Sequence, residues 1–473
     1  MKYSALLTDL YELTMMQGYY LQGNNPKVSF DMFFRRNPFS GGFSIFAGLA
    51  DLLDTLQNFS FKPDTIDYLD TLGLFRPDFL EYLSAFRFSG DLYSVDEGTV
   101  VFPGEPLVRV EGNLIESQLI ESMLLNILNF QTLIATKAAR IYHASRGGKI
   151  LEFGLRRAQG WDGAISASRA AFIGGASASS NTLAGKLFGI PVKGTMAHSW
   201  IMAFPSELES FRKFAEIYPD SSILLIDTYD TLGSGIENAI TVGLEMKKRG
   251  KSIGVRLDSG DLSYLSQKIR RRLDQAGLND CSITVSNDLN EEIIHQLVSD
   301  GAPIDAWGVG THLVTGGSES SLTGVYKLGA KEVNGLMAPT IKVSNNAEKT
   351  TNPGMKQVYR FYDEDGMALA DLITLNHEKL KGSGHVDFHH PMYENAHFSL
   401  EHYGSIVPLL KKQLSAGLPI HEPVPLPEIQ KRALDNLMEF DRTYKRIINP
   451  HIYKVSLSNE LKELKLKMIE DMQ

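Results

Sequence analysis

Short apolar runs recur along the middle of the chain at 149–153, 191–195, 222–227, 252–257, 282–286 and 306–309. Most lie roughly thirty residues apart with helical periodicity between them, as in 235–249 and 262–276, which predicts a strand–helix repeat around a parallel sheet. No short glycine fingerprint of dinucleotide type opens the series, so an irregular α/β barrel is preferred to a doubly wound sheet. Ahead of it the pattern is mixed: a strand at 28–34, a helix at 44–56, and short strands over 91–112 with turns at Glu97-Gly98 and Pro103-Gly104. A long amphipathic helix is predicted over 116–142. Beyond residue 325 the repeat breaks down, and 325–331, 340–344 and 358–362 read as strands rejoining the N-terminal layer. After Pro423, Pro425 and Pro427 the tail reads as helices at 426–444 and 457–472. The expected division is an α+β domain over 1–115, the barrel over 116–325, and a C-terminal segment with a helical tail over 326–473.

Composition narrows the function. The chain has 473 residues, 43% of them hydrophobic and 22% charged, with a formal net charge of -9. No basic stripe accompanies that balance, so nucleic acid is not expected as a partner. The single cysteine, Cys281, excludes a disulfide framework and a cysteine-rich metal site, and points to a reducing, cytoplasmic setting. Asp9 and Glu12 interrupt the N-terminal apolar residues, so no signal peptide is expected. Glu116, Glu121, Asn126 and Asn129 interrupt the apolar stretch 115–134, which reads as a core helix and not a membrane span.

In such a barrel the chemistry sits at the C-terminal ends of the strands. Those ends carry, in order, Phe153 with Arg156 and Arg157; His198 in Gly194-Thr195-Met196-Ala197-His198-Ser199; Asp227 and Asp230; Arg256, Asp258 and Asp261; Ser286-Asn287-Asp288; and Gly308-Val309-Gly310-Thr311 with Gly316-Gly317 behind. An aromatic platform, guanidinium groups, carboxylates and glycines suit a planar anionic ring together with a phosphorylated sugar. No Asp or Glu occurs between Asp162 and Glu207, while Arg169, Lys186 and Lys193 do, as expected of a pocket for a negative ligand. The histidines show no zinc-type spacing. Asp258 or Asp288 could hold Mg²⁺ through substrate phosphates, which needs only one or two protein ligands.

These residues resemble the landmarks of the nicotinate phosphoribosyltransferases over nearly the whole chain. The resemblance runs through Leu7-Thr8-Asp9-Leu10-Tyr11-Glu12-Leu13-Thr14-Met15, Phe33-Phe34-Arg35-Arg36, Glu152-Phe153-Gly154-Leu155-Arg156-Arg157, the His198 segment and Val255-Arg256-Leu257-Asp258-Ser259-Gly260-Asp261. It implies a barrel of the type II phosphoribosyltransferase kind. It also implies formation of nicotinate mononucleotide and pyrophosphate from nicotinate and phosphoribosyl pyrophosphate in NAD biosynthesis, with Mg²⁺, no redox cofactor, and ATP hydrolysis coupled through a phosphohistidine. By the same resemblance His198 carries the phosphoryl group and Asp227 orients it. Phe153 and Tyr11 sandwich the pyridine ring beside Arg156 and Arg157, and Arg256 and Asp258 lie near the phosphoribosyl group. Asn181 and Thr182 are expected beside the ring substituent. Arg35, Arg36, Ser286, Gly308, Gly310 and Thr311 are expected on phosphates. A homodimer with shared sites is implied, Asp9 and Tyr11 coming from the partner chain, and no membrane is involved. Nicotinamide-specific relatives place an acid where this chain has Ser180-Asn181-Thr182, so nicotinate is favoured. Quinolinate transfer and a non-catalytic barrel binding a phosphometabolite are the weaker alternatives.

Overall fold

The computed structural model describes residues 4–346, 349–382, 384–393 and 395–472. Lys137–Ser320 forms one compact unit, and the chain up to Thr136 and from Ser321 onward forms the other. The edge between them at Thr136 and Lys137 lies inside a helix, about twenty residues past the expected edge at 116. Leu114–Leu119 and Glu121–Ala144 run almost continuously, and Ile120, Met123, Leu124, Ile127 and Leu128 repeat at three- and four-residue spacing into the first unit's core. This 31-residue stretch is apolar enough to cross a membrane, but two-thirds of its apolar 18-residue window is buried inside the protein, as a core helix would be.

In the first unit a seven-stranded antiparallel sheet carries Lys27–Phe34 as an interior strand, flanked by Gly324–Val333 and Val108–Asn113. Seven of the eight residues of Lys27–Phe34 are at least partly covered, which explains its near-continuous apolar run. Phe30 stacks on Tyr326 with ring centroids 4.7 Å apart. The C-terminal segment thus pairs directly with the N-terminal layer. Its next strand is Leu336–Pro339, and the predicted 340–344 is not a strand. The reason is the turn: Asn334 and Gly335 both adopt positive φ, closing a two-residue hairpin that starts the return strand earlier. A second, six-stranded sheet joins Lys356–Tyr362 and Ala368–Leu375 to Val455–Leu457. The expected 44–56 helix is the strand Ser44–Ile45 followed by the helix Leu49–Asn58, and the tail helices are Leu426–Met438 and Asn459–Glu470.

The second unit is built on a six-stranded, all-parallel sheet. Its order is Ala178–Ser179, Lys149–Glu152, Ala306–Val309, Ser282–Val285, Gly254–Leu257 and Ile223–Leu225. Ile150, Val255, Leu257, Ile283, Val285 and Val309 are fully buried, as parallel strands with both faces covered require. One predicted strand is displaced. Residues 191–195 contribute only an isolated bridge between Val192 and Ser179, because Pro191 has no N–H to give a ladder. The strand that takes the place beside Lys149–Glu152 is Ala178–Ser179, which follows a helix rich in small residues. That helix is Gly160–Ile173.

Candidate active site

Because every strand of this sheet runs the same way, their C-terminal ends share one edge, and the polar residues just past them meet there. Phe153 follows Lys149–Glu152, and its N–H donates to the Val309 carbonyl at 2.8 Å. Gly308 lies within the neighbouring strand, paired with Leu151. A Cβ at Gly308 would stand 2.8 Å and 2.9 Å from the Phe153 ring and 3.1 Å from Ser286 Cβ, so the glycine makes room for that ring. This corrects the expectation that Gly308 holds a phosphate: it is buried in the sheet. Gly310 and Thr311, both partly exposed, open the four-residue helix Thr311–Val314 at the end of the same strand.

Arg256 organises the centre. Its Nε donates to Ser286 Oγ at 2.8 Å, its Nη1 to Thr195 Oγ1 at 2.7 Å, and its Nη2 pairs with Asp258 Oδ1 at 3.2 Å. Its guanidinium carbon sits 5.7 Å from the Phe153 ring centroid, within cation–π range. The Ser286 hydroxyl accepts from Arg256 and donates to Asp258 Oδ1 at 2.5 Å. Ser286, 3% exposed, therefore holds Arg256 and Asp258 in place and has no hydroxyl left for the phosphate it was expected to bind.

His198 is the first residue of the short helix His198–Met202, so a helix start and not a strand end presents it. Its Nδ1 lies 3.1 Å from Thr228 Oγ1 and its Nε2 lies 3.8 Å from Asp258 Oδ2, with the two side chains 40% and 30% exposed. The expected His198–Asp227 pairing is not present. Asp227 Oδ2 instead accepts the Asp258 N–H at 2.9 Å and the Ser259 hydroxyl at 2.6 Å, tying two adjacent strand ends together. Asp258 is the carboxylate nearest the imidazole, and Thr228 is a site residue that sequence reasoning missed. Its position directly after Asp227 was the available signal.

Two further expectations change in space. Asn181, 3% exposed, caps the helix Thr182–Phe188 by accepting from the Ala184 N–H at 3.2 Å, while its amide donates to the Ala164 carbonyl and to Ser168 Oγ. It is a structural cap with every group engaged, so it does not face a ring substituent; Thr182 beside it is exposed. The run without acids in sequence is not free of them in space. Glu152, 1% exposed, accepts from the Ser168 and Ser179 hydroxyls at 2.9 Å and 2.5 Å, and from the Gly154 N–H at 2.5 Å. This buried carboxylate, to which sequence reasoning assigned no role, braces the Phe153-Gly154 turn. Arg156 and Arg157, on the turn Leu155–Arg157, are exposed, and among the described residues neither has a side-chain partner.

In the other unit Tyr11 is 48% exposed on the helix Leu10–Leu21, where burial and neighbouring acids push its hydroxyl pKa upward. Asp9, just before that helix, accepts from the Ser122 hydroxyl at 3.1 Å. Arg35 and Arg36 are exposed and follow Lys27–Phe34, their backbone N–H groups donating to Thr323 Oγ1 at 3.2 Å. No group of three or more metal-ligating His, Cys, Asp or Glu side chains occurs among the described residues.

The chain matches the nicotinate phosphoribosyltransferase N-terminal domain over residues 6–129, the nicotinate phosphoribosyltransferase family over 149–371, and that family's C-terminal domain over 355–465. It is 44% identical over 471 residues to the nicotinate phosphoribosyltransferase of Bacillus subtilis (strain 168), covering 99% of this chain and 95% of that one. To the nicotinate phosphoribosyltransferase of Homo sapiens it is 34% identical over 521 residues, covering 97% and 95%. The crystal structure of human nicotinic acid phosphoribosyltransferase superposes with a TM-score of 0.86 at 31% identity, over 98% of this chain and 99% of that one. Nicotinate-nucleotide pyrophosphorylase from Pyrococcus furiosus shares the fold, with a TM-score of 0.70 at 23% identity over 92% and 95%.

Proposed function

The chain belongs to the nicotinate phosphoribosyltransferase family, and we propose that the edge of its parallel sheet is where that family's reaction runs, driven by ATP through His198. The enzyme joins nicotinate to phosphoribosyl pyrophosphate, forming nicotinate mononucleotide and pyrophosphate in NAD biosynthesis. The observation that carries the proposal is the convergence of Phe153, Arg256, Asp258, Ser286, Thr228 and His198 on one edge.

We read the sheet as an irregular barrel. Pairing of the last strand, Ala306–Val309, with the first, Lys149–Glu152, supports this, as does the Ser179–Val192 bridge. The one interruption then falls between Val192 and Ile223–Leu225. Phe153, partly exposed, offers an aromatic face to the pyridine ring, and Arg156 or Arg157 offers a cation to its carboxylate. Displacement at the ribose C1 proceeds through an oxocarbenium-like state, for which placement and neutralisation of the leaving pyrophosphate matter more than a strong base. Asp258 suits both tasks: Oδ1 is held by Ser286 and Arg256, while Oδ2 remains open toward His198. That half-free carboxylate fits a single protein ligand for Mg²⁺ held mainly by substrate phosphates, and such an ion, when bound, would offset charge on the pyrophosphate.

We further propose a homodimer in which Tyr11 and Asp9 serve the partner's site; the exposure of Leu7, Leu10 and Tyr11 at 44%, 52% and 48% supports a surface made to be covered. The buried Cys281 thiol, pushed up to about 12 by burial, suits a cytoplasmic enzyme whose cysteine takes no part in redox chemistry. The test is nucleotide formation from nicotinate, nicotinamide and quinolinate, each with and without ATP. It is paired with base-stable, acid-labile labelling of the protein by γ-labelled ATP. Nicotinate should be the preferred acceptor, ATP should stimulate it, and His198→Ala should lose the label while remaining folded. Label retained in His198→Ala overturns the phosphohistidine.

A further inference from the structure

We infer that Thr228 is the positioning residue that sets which ring nitrogen of His198 carries the proton, and so which one is left to accept a phosphoryl group. The inference rests on the proposal that His198 is phosphorylated. An imidazole attacks phosphorus through the nitrogen bearing the lone pair, so a phosphoryl acceptor must be held in one tautomer.

Two groups compete for that choice. Asp258 Oδ2, 3.8 Å from Nε2, would draw a proton onto Nε2 and abolish the lone pair on that side. Thr228 Oγ1, 3.1 Å from Nδ1, is within hydrogen-bonding distance and can accept from an Nδ1–H. The Asp258 contact is too long for a hydrogen bond, and the other oxygen of that carboxylate is taken by Ser286 and Arg256. Asp227, the expected orienting acid, is turned to the Asp258 N–H and Ser259. Accepting there, Thr228 holds the proton on Nδ1, and Nε2, which has no hydrogen-bonded partner among the described residues, keeps its lone pair. In the transfer this pair forms the N–P bond to the γ-phosphorus of ATP while the bridging P–O bond breaks, its electrons leaving with ADP. The Nδ1–H stays in place, and Thr228 continues to accept it as the ring gains positive charge.

The test compares the wild-type enzyme with Thr228→Val, nearly isosteric but without the hydroxyl, and Thr228→Ser, which restores it. In ¹⁵N-histidine-labelled full-length protein, long-range ¹H–¹⁵N spectra report the tautomer of His198, whose signal is assigned by its loss in His198→Asn. The wild type and Thr228→Ser should show Nδ1–H, and Thr228→Val should shift toward Nε2–H. Pre-steady-state labelling by ATP should slow about tenfold in Thr228→Val, the scale of one lost hydrogen bond, and recover in Thr228→Ser. An Nε2–H tautomer in the wild type, or the same tautomer in wild type and Thr228→Val, overturns the inference. The spectra need no phosphorylation, so this inference and the phosphohistidine proposal fail by different results.

Discussion

The Asp227 carboxylate grips the backbone of Asp258: Oδ2 accepts the Asp258 N–H at 2.9 Å and, at 2.6 Å, the hydroxyl of the next residue, Ser259. This pins the turn after Gly254–Leu257 to the end of Ile223–Leu225, and so fixes where the Asp258 side chain stands relative to His198 and Arg256. Asp227→Ala should free that turn. If positioning loses the equivalent of one charge-assisted bond, about 1.5–3 kcal/mol, kcat should fall on the order of tenfold to a hundredfold. The Michaelis constant for nicotinate should change much less, because Phe153 stands on a different strand. Steady-state kinetics with each substrate varied separately decide this. An unchanged kcat would show that Asp258 keeps its position without Asp227.

Gly308→Ala tests the floor beneath Phe153. The added methyl would meet the ring at 2.8 Å and Ser286 at 3.1 Å, so either the ring or the strand must yield. Overpacking of this kind costs about 1–3 kcal/mol. The expected result is a rise of several-fold in the Michaelis constant for nicotinate, with a smaller effect on phosphoribosyl pyrophosphate. Equal effects on both substrates would mean that the whole edge moves and that Phe153 is not the nicotinate platform.

Much of this edge was legible in the sequence, because parallel strands bury both faces and their apolar runs stand out from the helices between them. Residues Phe153, Arg256, Asp258 and Ser286 were located by that rhythm alone. What escaped depends on contacts that spacing does not encode. Asp227 sits where a partner for His198 would sit, but a carboxylate can equally accept a backbone N–H, and here it does. Asn181 lies in a run without acids, yet buried Glu152 reaches Ser168 and Ser179 from a strand placed before that run. The second sheet of the first unit was read at only one strand, Lys356–Tyr362. Its neighbour Ala368–Leu375 is joined by Val455–Leu457 from far along the chain, and short strands paired at such distance leave little local pattern. The Asn334-Gly335 turn, by contrast, was an available signal for a hairpin.

If Tyr11 and Asp9 serve a partner's site, two different inactive variants can restore one another. Tyr11→Ala and His198→Ala proteins, each inactive alone, should recover activity when mixed and allowed to exchange subunits. Statistical mixing gives heterodimers with one intact site in two, so roughly a quarter of wild-type activity is expected. Exchange is verified with differently tagged chains. Proven exchange without recovery would place Tyr11 and His198 in the same chain's site.

Arg360 and Asp371 form a fully buried ion pair, with Arg360 Nη2 2.6 Å from Asp371 Oδ2 and Nε 2.9 Å from Oδ1. The guanidinium lies 5.0 Å from the Phe440 ring centroid and 5.6 Å from that of Phe102, and Tyr453 donates to Asp371 at 3.0 Å. Removing Asp371 leaves the buried Arg360 charge facing Glu105, a buried carboxyl whose pKa burial and Asp371 push well upward. Asp371→Ala should cost about 3–5 kcal/mol, whereas a paired Arg360→Met, Asp371→Leu replacement should cost far less. Chemical denaturation of the three proteins checks the order. Equal loss in the single and double variants would assign the effect to packing and not to the unpaired charge.

Glu12 gives the first unit a pH dependence of known sign. It is fully buried, accepts from the Gln118 amide at 2.9 Å, and its carboxyl is pushed up to about 6, chiefly by burial, with Glu121 and Asp9 adding to the effect. The folded chain therefore keeps this proton up to about pH 6, while the unfolded chain releases it near 4.5. Between those values the unfolded state binds fewer protons, so stability falls as the pH rises, and above about 6 the full cost is present. At 1.36 kcal/mol per pKa unit this cost is about 2 kcal/mol. Glu12→Gln keeps an acceptor for Gln118 but carries no charge. It should be more stable than the wild type above pH 6, by up to that amount, with the gap closing below pH 4.5. Thermal midpoints of both proteins from pH 4 to 7.5 measure the gap. A gap that stays constant over this range would show that Glu12 does not titrate there.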